Sequence, residues 1–182
     1  MSRDERVIVR LPGTIHEAIR DEVGVWAARG LETFLFLVVT RVETPRGRLY
    51  AGRSVVLLDD GEVVRQGIAT YPTEAFCRRF YGALRTAGGF QTPARLVALH
   101  SHPFGTGPVR FSGTDLGSFE RDRCVFREVF GEVEFLGLVV NSDASAFDGL
   151  VVEPERMVPV ASVQVVGRTF RCLAGPRGEG KA

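Results

Sequence analysis

Residues 95–115 read RLVALHSHPFGTGPVRFSGTD and hold two histidines, a serine and an aspartate in close succession. The run before His100 is apolar on both faces and β-prone, which predicts a buried strand that Pro103 stops. Side chains two positions apart on a strand point to the same face. His100 and His102 can therefore bind one metal ion together.

A carboxylate follows this histidine pair at a helix-like turn. Ser112 and Asp115 have the Ser-x-x-Asp spacing of a helix N-terminus, so one turn would present the hydroxyl and the carboxylate to the same spot. Each motif alone is ordinary, because His-x-His is common by chance and Ser-x-x-Asp is usually only a cap. Two imidazoles and a carboxylate, with the fourth position left to water, are typical of catalytic zinc. Together these residues predict a Zn²⁺ site formed by His100, His102 and Asp115.

A second acidic residue stands at the head of an apolar run. Residues 31–42 read LETFLFLVVTRV and predict a central strand, in which the Glu32 carboxylate is costly to bury unless something pairs with it. Glu32 lies at the N-terminal end of its strand and His102 at the C-terminal end of its own. Antiparallel strands would bring both residues to one edge. In the alternative, Glu32 merely ends the first helix in solvent.

Composition limits the class of protein. A chain of 182 residues, 45% hydrophobic, suits one domain, predicted over residues 1–173, with a disordered tail at 174–182. The net charge of +1 offers no global field for nucleic acid or anionic lipid. No signal peptide and no run of about 20 apolar residues is present, which predicts a cytoplasmic protein without membrane contact. Three cysteines without Cys-x-x-Cys predict reduced, mostly buried thiols.

Local patterns predict the remaining elements. Thr14 and Glu17 have capping-box spacing at the start of an amphipathic helix. The predicted elements are helices at 14–29, at 73–87 and from the 112–115 turn to about 124, a hairpin that joins 53–58 to 62–65 through AspGly, and three or four β-rich runs within 133–173. The chain is therefore expected to mix α and β structure in a single domain.

A helix, a Glu-bearing strand, His-Ser-His-Pro and Ser-x-x-Asp in this order resemble the JAMM/MPN-type metalloprotease family, in particular its prokaryotic members. The resemblance covers nearly the whole chain. It implies an α/β (α+β) fold with a curved mixed sheet or partial barrel flanked by helices, a JAMM/MPN-like and cytidine deaminase-like architecture. Active members of the family are zinc proteases that cut isopeptide or peptide bonds of ubiquitin or ubiquitin-like modifiers.

The resemblance also implies a role for each site residue. His100, His102 and Asp115 would bind zinc, Glu32 would be the general acid and base for attack of a zinc-bound water, and Ser112 would stabilise the oxyanion. The expected partner is a ubiquitin-like protein or its conjugate, whose Gly-rich tail would add a strand to an exposed sheet edge. Modifier-activating or conjugating enzymes are further expected partners. Nucleic acid is not an expected partner.

The chain departs from the family pattern in two places. The loop between His102 and Ser112 is nine residues long, two more than is usual, and is expected to bulge without moving its ends. The small residues that usually follow the glutamate are replaced here by ThrPheLeu. Two other functions therefore stay open: a catalytically silent scaffold with the same fold, and a RadC-like protein associated with DNA.

Overall fold

The computed structural model describes residues 6–66, 69–88, 94–131, 134–166 and 168–171. Its elements run in the order β1 (Arg6–Leu11), α1 (Gly13–Ala27), β2 (Phe34–Thr44), β3 (Gly47–Leu57), β4 (Val63–Gln66), β5 (Ala69–Pro72), α2 (Glu74–Thr86), β6 (Ala94–His102), α3 (Gly113–Phe130), β7 (Phe135–Asn141), β8 (Phe147–Val152), β9 (Met157–Val165) and β10 (Arg168–Arg171). The tail predicted to be disordered lies outside the described residues.

Seven strands close into a mixed β-barrel. The strand order is β1-β3-β2-β6-β7-β8-β9, the ring closes because β1 pairs in parallel with β9, and β10 extends β9. Strand β6 is antiparallel to β2 and parallel to β7. The predicted combination of α and β structure with a barrel-like sheet is confirmed, and the barrel is closed rather than partial.

Two apolar clusters explain why β2 and β6 are apolar on both faces. All seven barrel strands contribute to the first cluster, which therefore fills the barrel interior, and α1 adds Ile15, Ile19 and Val23 to it. The second cluster lies on the outer face under α2 and α3. Phe34 and Phe36 of β2 belong to the outer cluster, whereas Leu35 and Leu37 between them belong to the inner one. Burial on both sides fixes the register of these strands.

Several predicted elements differ in detail. Helix α1 follows Pro12 and has no side-chain cap, so the predicted Thr14 and Glu17 capping box is wrong. The central strand begins at Phe34 rather than at residue 31, and α3 continues to Phe130 rather than ending near residue 124. Of the two described cysteines, Cys77 is half-buried but Cys124 is exposed, contrary to the expected burial.

The predicted hairpin between residues 53–58 and 62–65 is also wrong. A turn does follow β3, but β4 then pairs with β5 in a separate two-stranded sheet. Strand β3 is instead flanked by β2 and β1. The apolar pattern of β4 fits either partner, and residues 54–57 of β3 pair with β2 instead.

Gly137 determines how closely α3 approaches the barrel. A Cβ atom at this position of β7 would lie 2.3 Å from Cζ and 2.5 Å from Cε1 of Phe119, a buried residue of α3. We expect Gly137→Ala to lower the free energy of unfolding by about 1–3 kcal/mol, because the ring must move in a packed cluster. Urea unfolding measures this change.

Gly24→Ala is the matched control for that substitution. Gly24 lies in α1, and apart from its chain neighbours and the backbone of its own helix no atom stands within 4 Å of its added Cβ. The control should be neutral or stabilise the protein by up to about 1 kcal/mol, since alanine is the better helix former. Equal effects at both glycines would show that Phe119 does not limit the position of α3.

Candidate metal centre

The two histidines of the predicted site lie at the C-terminal end of β6. His100 is buried and His102 is half-buried. Their side chains point the same way, as the strand alternation predicts, and the two Nε2 atoms are 3.3 Å apart. The neighbouring strands hold this end of β6 on both sides, because Phe34 of β2 and Val139 of β7 both stand opposite His100.

Asp115 reaches the histidine pair from the first turn of α3. Its Oδ1 lies 3.1 Å from Nε2 of His100, and its Oδ2 lies 3.4 Å from Nε2 of His102. A capping box fixes this turn, because the Ser112 N–H donates to Asp115 Oδ2 at 2.6 Å and the Asp115 N–H donates to Ser112 Oγ at 3.2 Å. The Asp115 carboxylate therefore both completes the capping box of α3 and lies against the two histidines.

The spacing of these three groups suits one zinc ion. Bonds of roughly 2.0–2.2 Å to nitrogen and oxygen place tetrahedral ligands about 3.3–3.6 Å apart. The distances among His100, His102 and Asp115 are 3.3, 3.1 and 3.4 Å, within a few tenths of an ångström of that geometry. Within the described part of the chain, these residues form one group of potential metal ligands. Three ligands leave a fourth position open.

The electrostatics of Asp115 favour its ionised form. Burial raises the pKa of this carboxyl, but hydrogen bonds from His100 and His102, the charge of His100 and the N–H of Ser112 more than offset it. The pKa therefore lies well below its usual range. A metal ligand must be deprotonated, so Asp115 is ready to bind a cation.

Glu32 lies beside the same group. It precedes β2 by two residues, is only 8% exposed, and shares one cleft with His100 and Asp115. Strands β2 and β6 are antiparallel, as the sequence argument required, so the start of one meets the end of the other. Burial raises the pKa of the Glu32 carboxyl above its ordinary value, while His100 and His102 oppose the rise and Asp115 adds to it.

Contacts that the sequence did not reveal hold the Glu32 segment in place. The Thr33 N–H donates to Ser101 Oγ at 2.9 Å, and the Ser101 N–H donates to the Thr33 carbonyl at 2.9 Å. The Thr33 hydroxyl donates to Glu22 Oε1 at 3.1 Å, and Trp26 Nε1 donates to the same oxygen at 2.7 Å. Strand alternation points Ser101 away from the histidines, but no local pattern in the sequence shows which backbone group its hydroxyl meets.

Arg65 joins this network from β4. Its guanidinium lies over the Trp26 ring, 3.5 Å from the centroid, and Nη2 donates to the Thr33 hydroxyl at 3.4 Å. This stacking is a cation–π contact. It attaches the small β4-β5 sheet to α1 beside the candidate site.

The long loop after His102 is tied to the barrel. The Ser142 hydroxyl donates to the Gly105 carbonyl at 2.7 Å, and Asn141 Nδ2 donates to the Gly107 carbonyl at 3.1 Å. Gly105 has a φ of 103°, which favours glycine. The two additional residues therefore lie in a loop anchored by the β7-β8 turn, while Asp115 still contacts both histidines.

Ser112 is exposed, and its oxygen already accepts the helix-capping hydrogen bond. A hydroxyl that accepts one bond keeps its own proton for donation. Ser112 can therefore still donate to a ligand near Asp115.

A cleft of about 610 Å³ opens from the candidate site. Its metal end contains Glu32, His100 and Asp115, and the rest lies over the outer face of β2 and β6, between α2 on one side and α3 on the other, with β5 at the rim. This volume lies within the range of small-molecule and substrate sites.

Comparisons with known proteins do not identify a family. No protein-family description matches the chain, and no curated protein matches it significantly. Among solved structures, a protein from Salinibacter ruber, known from a solution structure, is 18% identical over 95% of each chain, with a TM-score of 0.35. Among the described helices, none combines the length and the apolar character needed to cross a membrane.

Proposed function

We propose that the protein is a zinc-dependent peptidase or isopeptidase of the JAMM/MPN type, which cleaves a ubiquitin-like protein from a conjugate or precursor in the cytoplasm. One observation carries this proposal: His100, His102 and Asp115 have the mutual spacing of ligands to one metal. The buried carboxylate of Glu32 beside them, within a cleft, adds a general base.

The proposed chemistry divides among the residues of the site. A zinc ion held by His100, His102 and Asp115 would supply a Lewis acid that activates water for attack on the amide carbonyl. The Glu32 carboxylate accepts a proton from the attacking water and then donates this proton to the leaving amine. Ser112 donates a hydrogen bond to the developing oxyanion, a contribution of about 3 kcal/mol when such a donor is well placed.

The small β4-β5 sheet provides a proposed docking edge for an extended substrate. Residues 69–72 of β5 line the rim of the cleft, and in the described residues the pairing partner of β5 is β4 alone. An extended chain adding to its other edge would form backbone hydrogen bonds and pass toward the metal end.

Zinc content tests this proposal directly. After dialysis against a weak chelator, elemental analysis should find about one zinc per wild-type chain, because three protein ligands converge. His102→Ala and Asp115→Ala should each lose the metal, since two ligands remain. His16→Ala is the matched control: the Nε2 of His16 faces the Ala144 carbonyl at 2.9 Å, away from the site, so zinc should be retained.

If the wild-type protein holds no zinc even after zinc is added and the unbound excess is washed out, the proposed enzymatic function is contradicted. That result would favour a catalytically silent scaffold. Zinc retained in both ligand variants would place the metal elsewhere in the chain.

A further inference from the structure

The cleft has an apolar floor that the proposed hydrolysis does not require. Phe34 and Phe36 of β2 stand opposite His100 and Ala98 of β6, and all four residues line the cleft. Leu96 continues the floor, so it runs back from the metal ligand His100 for four residues of strand, about 13 Å. Apolar surface therefore begins directly beside the metal ligands.

The walls and the far end of the cleft are also mainly apolar and rich in aromatic rings. The lining side chains outside the floor include Cys77 and Tyr81 of α2, Phe119, Val125 and Phe126 of α3, and Phe135 of β7. Polar and charged groups concentrate at the metal end and the rim, where Ser118, Arg121 and Glu74 lie. A polar reaction centre thus borders a pocket in which a large apolar group would be desolvated.

A glycine tail would leave this pocket unfilled. Glycine has no side chain to remove from water, whereas a buried Phe or Leu side chain gains about 1.5–3 kcal/mol. The position of Phe34, opposite a metal ligand, places the pocket beside the reacting bond rather than several residues away.

We infer that the substrate carries a large apolar side chain, preferably aromatic, on a residue directly next to the cleaved amide bond. This inference rests on the proposed peptidase function, and it departs from the glycine tail that the family resemblance implies for the substrate. The occupant is a peptide or protein segment with such a residue, and the cleft acts as its specificity pocket. Ser118 is a specificity-determining residue, because it lines the cleft one helical turn after Asp115.

Internally quenched peptides that carry Gly, Ala, Leu or Phe at one position test the inference, with cleavage sites located by mass spectrometry. Zinc-loaded wild type should cleave next to Phe and Leu with a kcat/KM at least about tenfold above that for Gly, since even one methylene in a fitted pocket can change rates tenfold. Ser118→Trp should fill the cleft beside its metal end and reduce the ratio of kcat/KM for the Phe peptide to kcat/KM for the Gly peptide about tenfold.

Val25→Trp is the control for the added tryptophan ring, because Val25 is 51% exposed on α1 and lies outside the cleft lining. The ratio of kcat/KM for the Phe peptide to kcat/KM for the Gly peptide should be the same in this variant as in wild type. If wild type cleaves next to glycine as fast as next to Phe, or faster, the inferred specificity pocket is wrong, but the proposed peptidase function stands.

Direct binding separates the two proposals if no peptide is cleaved. Chemical shift perturbation with N-acetyl-phenylalaninamide and N-acetyl-glycinamide should show binding of the aromatic amide alone, and Ser118→Trp should abolish this binding. Binding without cleavage would support the pocket and count against the peptidase. No aromatic preference in binding or in cleavage would overturn the pocket, and saturation by fatty acids alone would identify it as a lipid site instead.

Discussion

Glu32→Gln should lower kcat about 10²- to 10⁴-fold and leave the zinc content unchanged. The amide keeps the shape of the carboxylate, but it accepts no proton, and general acid–base catalysis contributes a factor of this size. Glu32 is buried next to the candidate ligands without belonging to their group, so metal binding should survive. Steady-state peptide hydrolysis and elemental analysis of the same preparation measure both effects.

Glu43→Gln provides the matched control for Glu32. Glu43 lies near the other end of β2 and is exposed, and it pairs with Arg41. This variant should hydrolyse peptides at the wild-type rate. Full activity in Glu32→Gln would assign the proton transfer to another group, and loss of zinc would make Glu32 a ligand.

Glu134→Gln should lower the free energy of unfolding by about 3–5 kcal/mol. Glu134 is 6% exposed and accepts hydrogen bonds from three guanidinium groups: Arg41 at 2.9 Å, Arg48 at 3.0 Å and Arg95 at 3.2 Å. Arg48 is only 2% exposed. Removing the negative charge leaves a buried positive charge with less compensation, a change that costs this much in buried pairs. Urea unfolding of zinc-loaded protein gives the value.

Glu155→Gln is the control in the same region, because Glu155 is exposed beside these arginines. It should change stability by less than about 0.5 kcal/mol. If both variants unfold at the same urea concentration, Glu153, which contacts Arg48, already compensates the buried charge.

Local sequence patterns predicted the histidine end of the site well. Strand alternation placed His100 and His102 on one face, and Ser-x-x-Asp formed a capping box that directs Asp115 toward them. The sequence argument required antiparallel strands to bring Glu32 and His102 to one edge, and β2 and β6 are antiparallel. These features depend on periodicity and short-range hydrogen bonds, which a sequence displays directly.

Long-range pairings were not predictable in this way. Residues 62–65 could pair with either neighbouring run, but β4 pairs with β5, and residues 54–57 of β3 pair with β2. The hydrogen bond from the Thr33 N–H to Ser101 Oγ depends on how β2 and β6 align, and no short sequence pattern determines that alignment. The cleft was equally hidden, since Phe34 and Phe36 read only as core residues until α2 and α3 were placed above them.

Closure of the barrel through β1 and β9 has a consequence for biosynthesis. Val7 pairs with Val160, so the residues up to β9 must leave the ribosome before β1 meets its second neighbour. Pairings between such distant residues slow folding, because a large loop must close before its contacts form. Until then one side of β1 is an open edge, and newly made chains depend on prompt completion of β9 to avoid joining one another.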